Sequence, residues 1–231
     1  MDYLLQGFIQ GFVLLFTGDH ETYSAIWATV AASTLSMCAS LTMGVPLGFL
    51  LGHTTFPGKK VVRTLVDTLL SFPTVVIGLL VYAMVTRNGP LGDMGLLFSI
   101  PGIALGQTLL GLPIIIAMTA TAVETLDKRL PMTLITLGAN RSQILWATVA
   151  EARFAIMLAA VAAYGRIVSE VGISMMVGGN IKWHTRTVTT AIALETGMGE
   201  FAMGIALGMV LLTVALTVNV MASGLKRKAA P

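Results

Sequence analysis

"PGIALGQTLLGLPIIIAMTATAV", Pro101–Val123, contains no ionisable side chain. As a helix rising 1.5 Å per residue it is long enough to cross a hydrocarbon layer of roughly 30 Å. Further uncharged runs, with histidine taken as neutral, extend over Thr22–Gly58, Met94–Val123 and Phe201–Leu225. The chain has 231 residues, of which 55% are hydrophobic and 11% charged. Its mean hydropathy is +0.85. That balance belongs to a chain whose solvent is a bilayer. The sequence predicts an all-α membrane protein of about five spans, near Ser24–Gly52, Thr64–Thr86, Leu96–Val123, Phe154–Val177 and Phe201–Leu225. Gly- and Pro-containing turns, "HTTFPGKK", "RNGPLGD" and "GGN", separate several of them.

Residues 3–16, "YLLQGFIQGFVLLF", are apolar but short, and Gln6 and Gln10 share a helix face. An interfacial or partly embedded helix is the preferred reading, and a sixth span stays open. The acidic "MD" in front argues against a cleavable signal. Orientation follows from the 14 basic residues. Ten of them (Lys59, Lys60, Arg63, Lys128, Arg129, Arg141, Arg153, Lys226, Arg227, Lys228) fall on one side of a five-span topology. Arg87, Lys182 and Arg186 fall on the other, and Arg166 lies within a span. The ten mark the cytoplasmic side, so the N-terminus is expected outside and the C-terminus inside. One transmembrane domain, 1–231, then has an external N-terminal segment (1–22), a cytoplasmic loop (124–153) and an external loop (178–200).

The 124–153 interval is far longer than a connector needs. Gly138 divides it, Pro131 suits a first helical turn, and Asn140 can cap a second helix with Gln143 reaching back. Leu145 and Val149 share one face. Two short helices about Gly138 are expected, either lying on lipid or forming a knob for a cytoplasmic partner. Within the fourth span, Arg166 and Glu170 stand one helical turn apart, beside Ser169. Ionisable groups at that depth face protein or water. The three either lock the bundle or border a path or gate. Asp67 is a second candidate partner for a basic group. Pro46, Pro73, Pro101 and Pro113 can bend spans. Outside, "TRTVTTAIALE" reads as a short helix or re-entrant segment. Lys182 and Arg186 near its start either steer an anion-loaded partner or are plain solvated charges.

Several classes have no support. The phosphate-cradling pattern GxxxxGK[ST] does not occur. His20, His53 and His184 are scattered without metal-ligand spacing, and no nucleophile stands beside a base. Cys38 is alone, and no basic stripe with interleaved aromatics suggests nucleic acid. Catalysis by this chain, and a metal or cofactor bound by it, are not expected. The 14 Met and 24 Gly suit a packed, mobile bundle in lipid.

The helix, "LGA", helix pattern at Leu137–Ala139 resembles the cytoplasmic loop of ABC importer permeases. That family's motif is E-A-A, three residues, G, nine residues, I-x-L-P. Gly138 matches its glycine, whereas Met132, Thr133 and Leu134 depart from E-A-A, and Thr148–Glu151 keep only apolar character. "FPGKKVVRTLVDTLLSFPTVVIGLLV" (Phe56–Val81) and Pro101–Asp127 resemble oxyanion permeases of the molybdate, tungstate and sulfate type. "GRIVSEVGISMMVGGNI" (Gly165–Ile181) with "TRTVTTAIALET" (Thr185–Thr196) is similar to the tungstate permeases in particular. The resemblance spans about residues 23–225. It implies a type I importer bundle in a prokaryotic inner membrane, a homodimer, two ABC ATPase subunits that bind ATP, and an external oxyanion-binding protein. It implies alternating access, with Gly138, Ala139, Asn140, Arg141, Ser142 and Leu145 contacting the ATPase. Molybdate or sulfate is the alternative cargo. A stand-alone ion-coupled transporter and a membrane anchor are the rivals from other classes.

Overall fold

A computed structural model describes the backbone of residues 2–127 and 129–229, and the side chains of these except Asp2, Tyr3, Leu130, Pro131, Arg141 and 221–229. Among the described residues the chain is helical, with no strand. Helix α1 covers Asp2–Thr17 and packs against the last helix, α10 (Phe201–Ala229). Helix α2 runs unbroken from His20 to His53, through Pro46. Asp19 caps it, accepting the Thr22 backbone N–H at 2.8 Å and the Thr22 hydroxyl at 2.6 Å. Those two donors, the hydroxyl first, hold the Asp19 carboxyl below its ordinary value.

The second expected span is in fact two helices. α3 (Lys59–Leu70) and α4 (Thr74–Val85) meet at 98°. Pro73 lacks an N–H and disfavours helical geometry at Phe72, so the chain breaks there. A 3-10 turn at Gly92–Met94 leads to α5 (Ile100–Glu124), capped by Ser99, which accepts the Gly102 N–H at 3.1 Å. The α2–α5 pair is the most extensive in the molecule. Their axes approach so closely that a Cβ on Gly48 would lie 2.7 Å from the Ile116 carbonyl oxygen.

The fourth span differs most from expectation. α6 (Arg129–Thr136) is short, but α7 continues from Arg141 to Val168 in one piece, 28 residues and about 42 Å long. The expected short second helix of the loop and the start of the fourth span are therefore a single rod. Between Arg141 and Tyr164 the sequence has neither Gly nor Pro to interrupt it. It stops at Ser169–Val171, and the short helix α8 (Gly172–Gly178) follows. α9 (Val188–Gly197) follows a tight loop, with Thr187 and Thr190 forming a capping box. Among the described residues four helices are individually long and apolar enough to cross a membrane, α2, α5, α7 and α10, and the bent α3–α4 pair is a fifth when counted as one broken span.

The register of α5 fixes depth. Ile167 packs over Gly111, Ile173 over Gly106, and Gly178 against Ile103. The α7–α8 break therefore lies roughly 9–17 Å along α5 from its first residue, well inside the crossing. Gly172 there sits beside Thr74 and Val75, so both broken spans meet at one level. Ile77, Val81, Val85, Leu110, Ile173 and Val177 form the core that joins α4, α5 and α8.

Candidate functional site

Three polar clusters lie at three depths. The first is the turn between α6 and α7. Ala139 N–H donates to the Leu134 carbonyl at 2.9 Å and Gly138 N–H to the Ile135 carbonyl at 3.0 Å. This pairing closes a helix through a left-handed residue, and Gly138 has φ +79°. Asn140 then starts α7. Its side chain accepts the Gln143 N–H at 2.9 Å, and Gln143 accepts the Asn140 N–H at 2.8 Å. The capping box read from the sequence is present. Gly138, Asn140, Ser142 and Leu145 are exposed and Ala139 is half-buried; of Arg141 only the backbone is described. Met132 (67% exposed), Leu137 (77%) and Trp146 (68%) join Leu145 to make an apolar knob. Sequence reading missed the first three as a contact surface. The i, i+3 spacing of Met132 and Ile135, also exposed, was the available signal.

At the end of α5, Glu124 receives Lys59 Nζ at 3.1 Å and Arg63 at 3.7 Å. Arg63 also meets Asp67 at 3.4 Å, the partnership anticipated for Asp67, and donates to the Thr121 hydroxyl at 2.6 Å. This network ties the start of α3 to α5.

The middle cluster sits at the α7–α8 break. Arg166 reaches Glu170 at 3.5 Å. The glutamate side chain is 3% exposed and the arginine 46%. Glu170 Oε1 accepts the Ile173 N–H at 3.2 Å. Its carbonyl accepts the Thr189 hydroxyl from α9 at 3.0 Å and the Ser174 hydroxyl at 3.4 Å, and Gln107 of α5 donates to Ser174 at 3.4 Å. Ser169 is exposed, with its hydroxyl on the Arg166 carbonyl at 3.1 Å. It borders a groove of about 240 Å³ between α7 and α10, lined also by Tyr164, Gly165, Gly208 and Asn219. Arg166, Ser169 and Glu170 are thus brought together, at a helix break rather than on a continuous helix.

At the opposite end, Lys182 and Arg186 both pair with Glu21, each at 2.6 Å. Lys182 stays half exposed, whereas Arg186 is 15% exposed. Trp183, half exposed, meets the His20 ring at 4.7 Å. Glu21 went unnamed as their partner in the sequence because 165 positions separate it from Arg186.

Residues 44–230 match the family of binding-protein-dependent transport system inner membrane components. The chain is 45% identical over 227 residues to the tungstate uptake system permease protein TupB of Campylobacter jejuni, covering 98% of this chain and 95% of that one. It is 34% identical over 219 residues to the TupB of Peptoclostridium acidaminophilum, covering 95% and 96%. Among solved structures it superposes on a chain of a bacterial alginate ABC transporter in complex with its pentasaccharide-bound periplasmic protein. There the TM-score is 0.75 at 21% identity, over 94% of this chain and 82% of that one. With apolar helices of spanning length and a match over most of its residues, the chain belongs to the family of inner membrane permease components of binding-protein-dependent ABC transport systems.

Proposed function

We propose that this chain is the membrane-spanning subunit of an ATP-driven tungstate importer, working as a homodimer with two ATPase subunits and an external binding protein. The observation that carries the cargo is the 45% identity to a tungstate uptake permease over nearly the full length of both chains. ATP is bound and hydrolysed in the partner subunits. The Glu124 end, which carries Lys59 and Arg63, faces the cytoplasm, with the N-terminus outside and the C-terminus inside.

The geometry supports a mechanism. The knob at Gly138, Ala139, Asn140, Arg141, Ser142 and Leu145 seats on the ATPase. α7 begins at that knob and carries Arg166 in its last turn, so a displacement of the knob reaches the middle of the membrane along one unbroken rod. There, a half-exposed arginine cannot face hydrocarbon. It lines a hydrated path with Ser169, and its charge suits an oxyanion. ATP-driven movement of the ATPases favours one of two openings of this path. At the other end, the loop carrying Lys182 and Arg186 receives the loaded binding protein. Glu21 takes up the charge of Arg186, which therefore shapes the loop.

Uptake of labelled tungstate by cells lacking the gene, with unlabelled tungstate or molybdate competing, tests the reading. Complementation restores uptake that tungstate suppresses at lower concentration than molybdate. Unchanged uptake in the deletion strain sinks the cargo assignment.

A further inference from the structure

The two members of the mid-depth pair are held very differently. Glu170 is fixed: its carboxylate takes the Ile173 N–H, its carbonyl takes the Thr189 and Ser174 hydroxyls, and its side chain is 3% exposed. Arg166 has one long contact to that carboxylate, 3.5 Å, and a side chain 46% exposed. A guanidinium carries five N–H donors in a planar fork that fits an oxyanion bidentately. Glu170 cannot follow the arginine outward. Arg166 can turn toward a ligand on its exposed side, where Ser169 adds a hydroxyl beside the groove.

We propose that the transported oxyanion and the Glu170 carboxylate compete for Arg166, so that Glu170 keeps binding in the path weak and drives release. This rests on the reading of Arg166 as a path residue. A dianion on Arg166 lies within a few ångströms of a second, immobile negative charge that water screens poorly. When the anion leaves, Arg166 returns to Glu170. A path must bind well enough to admit its ion and weakly enough to pass it on, and a fixed internal counter-charge sets that balance. It also accounts for an acidic group beside a path for dianions: the carboxylate is buried behind the arginine and does not line the opening.

The test uses the complete transporter, permease with ATPase, in lipid nanodiscs without the binding protein. Equilibrium binding of labelled tungstate is measured together with uptake in cells, each normalised to assembled complex. Glu170→Gln keeps an acceptor for the Ile173 N–H but removes the charge. The expected result is tungstate binding tighter by roughly ten- to a hundredfold, with a lower half-saturating concentration and a lower maximal uptake rate. Glu170→Asp, which keeps the charge one methylene further from Arg166, falls between Gln and wild type, and decides the matter if Glu170→Gln assembles poorly. Arg166→Gln abolishes binding and uptake. Loss of binding in Arg166→Gln with wild-type affinity in both Glu170 variants overturns the competition and leaves the path reading standing. Normal binding and uptake in Arg166→Gln overturns both.

Discussion

Glu124 and Glu170 each face an arginine, and they do different work. Glu124 lies at the end of a span, 37% exposed, with Lys59 and Arg63 both on it and Asp67 and Thr121 sharing Arg63. Charges there are numerous, wet and mutually compensated, so each contact is weak and replaceable. Glu170 is buried well inside the crossing and meets one arginine at one long distance. Removing that carboxylate strips Arg166 of its counter-charge and leaves the Ile173 N–H without its side-chain acceptor. The first cluster fastens helix ends together. The second leaves a cation half exposed where the surrounding solvent is hydrocarbon, which is costly unless a path or partner uses it.

The largest effect expected from this contrast is at Glu170. Glu170→Ala removes the counter-charge of Arg166 and orphans the Ile173 N–H, and costs about 3 kcal/mol. The check is the amount and thermal stability of assembled permease; stability equal to wild type would erase the contrast with Glu124. Gly138→Val comes next. A branched residue at φ +79° costs about 1–2 kcal/mol locally, yet nothing lies within 4 Å of the new Cβ. The protein should reach the membrane while ATPase co-purification falls and uptake is lost. Retained ATPase with normal uptake would reduce the knob to a surface turn.

Asp19 sharpens the comparison from the far end. Asp19→Ala removes the α2 cap and costs about 1 kcal/mol. Because the folded carboxyl is held below its ordinary value, its contribution is complete above about pH 4 and fades as pH falls through the folded value. The melting difference between wild type and Asp19→Asn should shrink on acidification, and growth of that difference would refute the sign. The smallest effect is at Glu124→Gln, under about 1 kcal/mol and reduced further by salt. A loss matching that of Glu170→Ala would mean burial does not separate the two carboxylates.

The apolar runs alone determined that this chain lives in a membrane, and Gly138 with Asn140 and Gln143 determined where α6 ends and α7 begins. Both follow from local physics: hydrocarbon length requirements, and cap chemistry confined to four or five neighbouring residues. Tertiary structure decided the rest. That α7 is a single rod follows from the absence of any breaker together with packing along α5. The interruption at Ser169–Val171 has no proline to announce it. It exists because Glu170 is tied to Ile173 and Ser174 on α8 and to Thr189 on α9. Pro73 advertised a bend, but its 98° angle depends on what α3 and α4 each pack against. Sequence spacing placed Arg166 and Glu170 on one face, whereas burial of one and exposure of the other arises only when α8 and α9 pack against Glu170. The pairing of Glu21 with Lys182 and Arg186 is likewise made by helices distant in sequence, which no local pattern encodes.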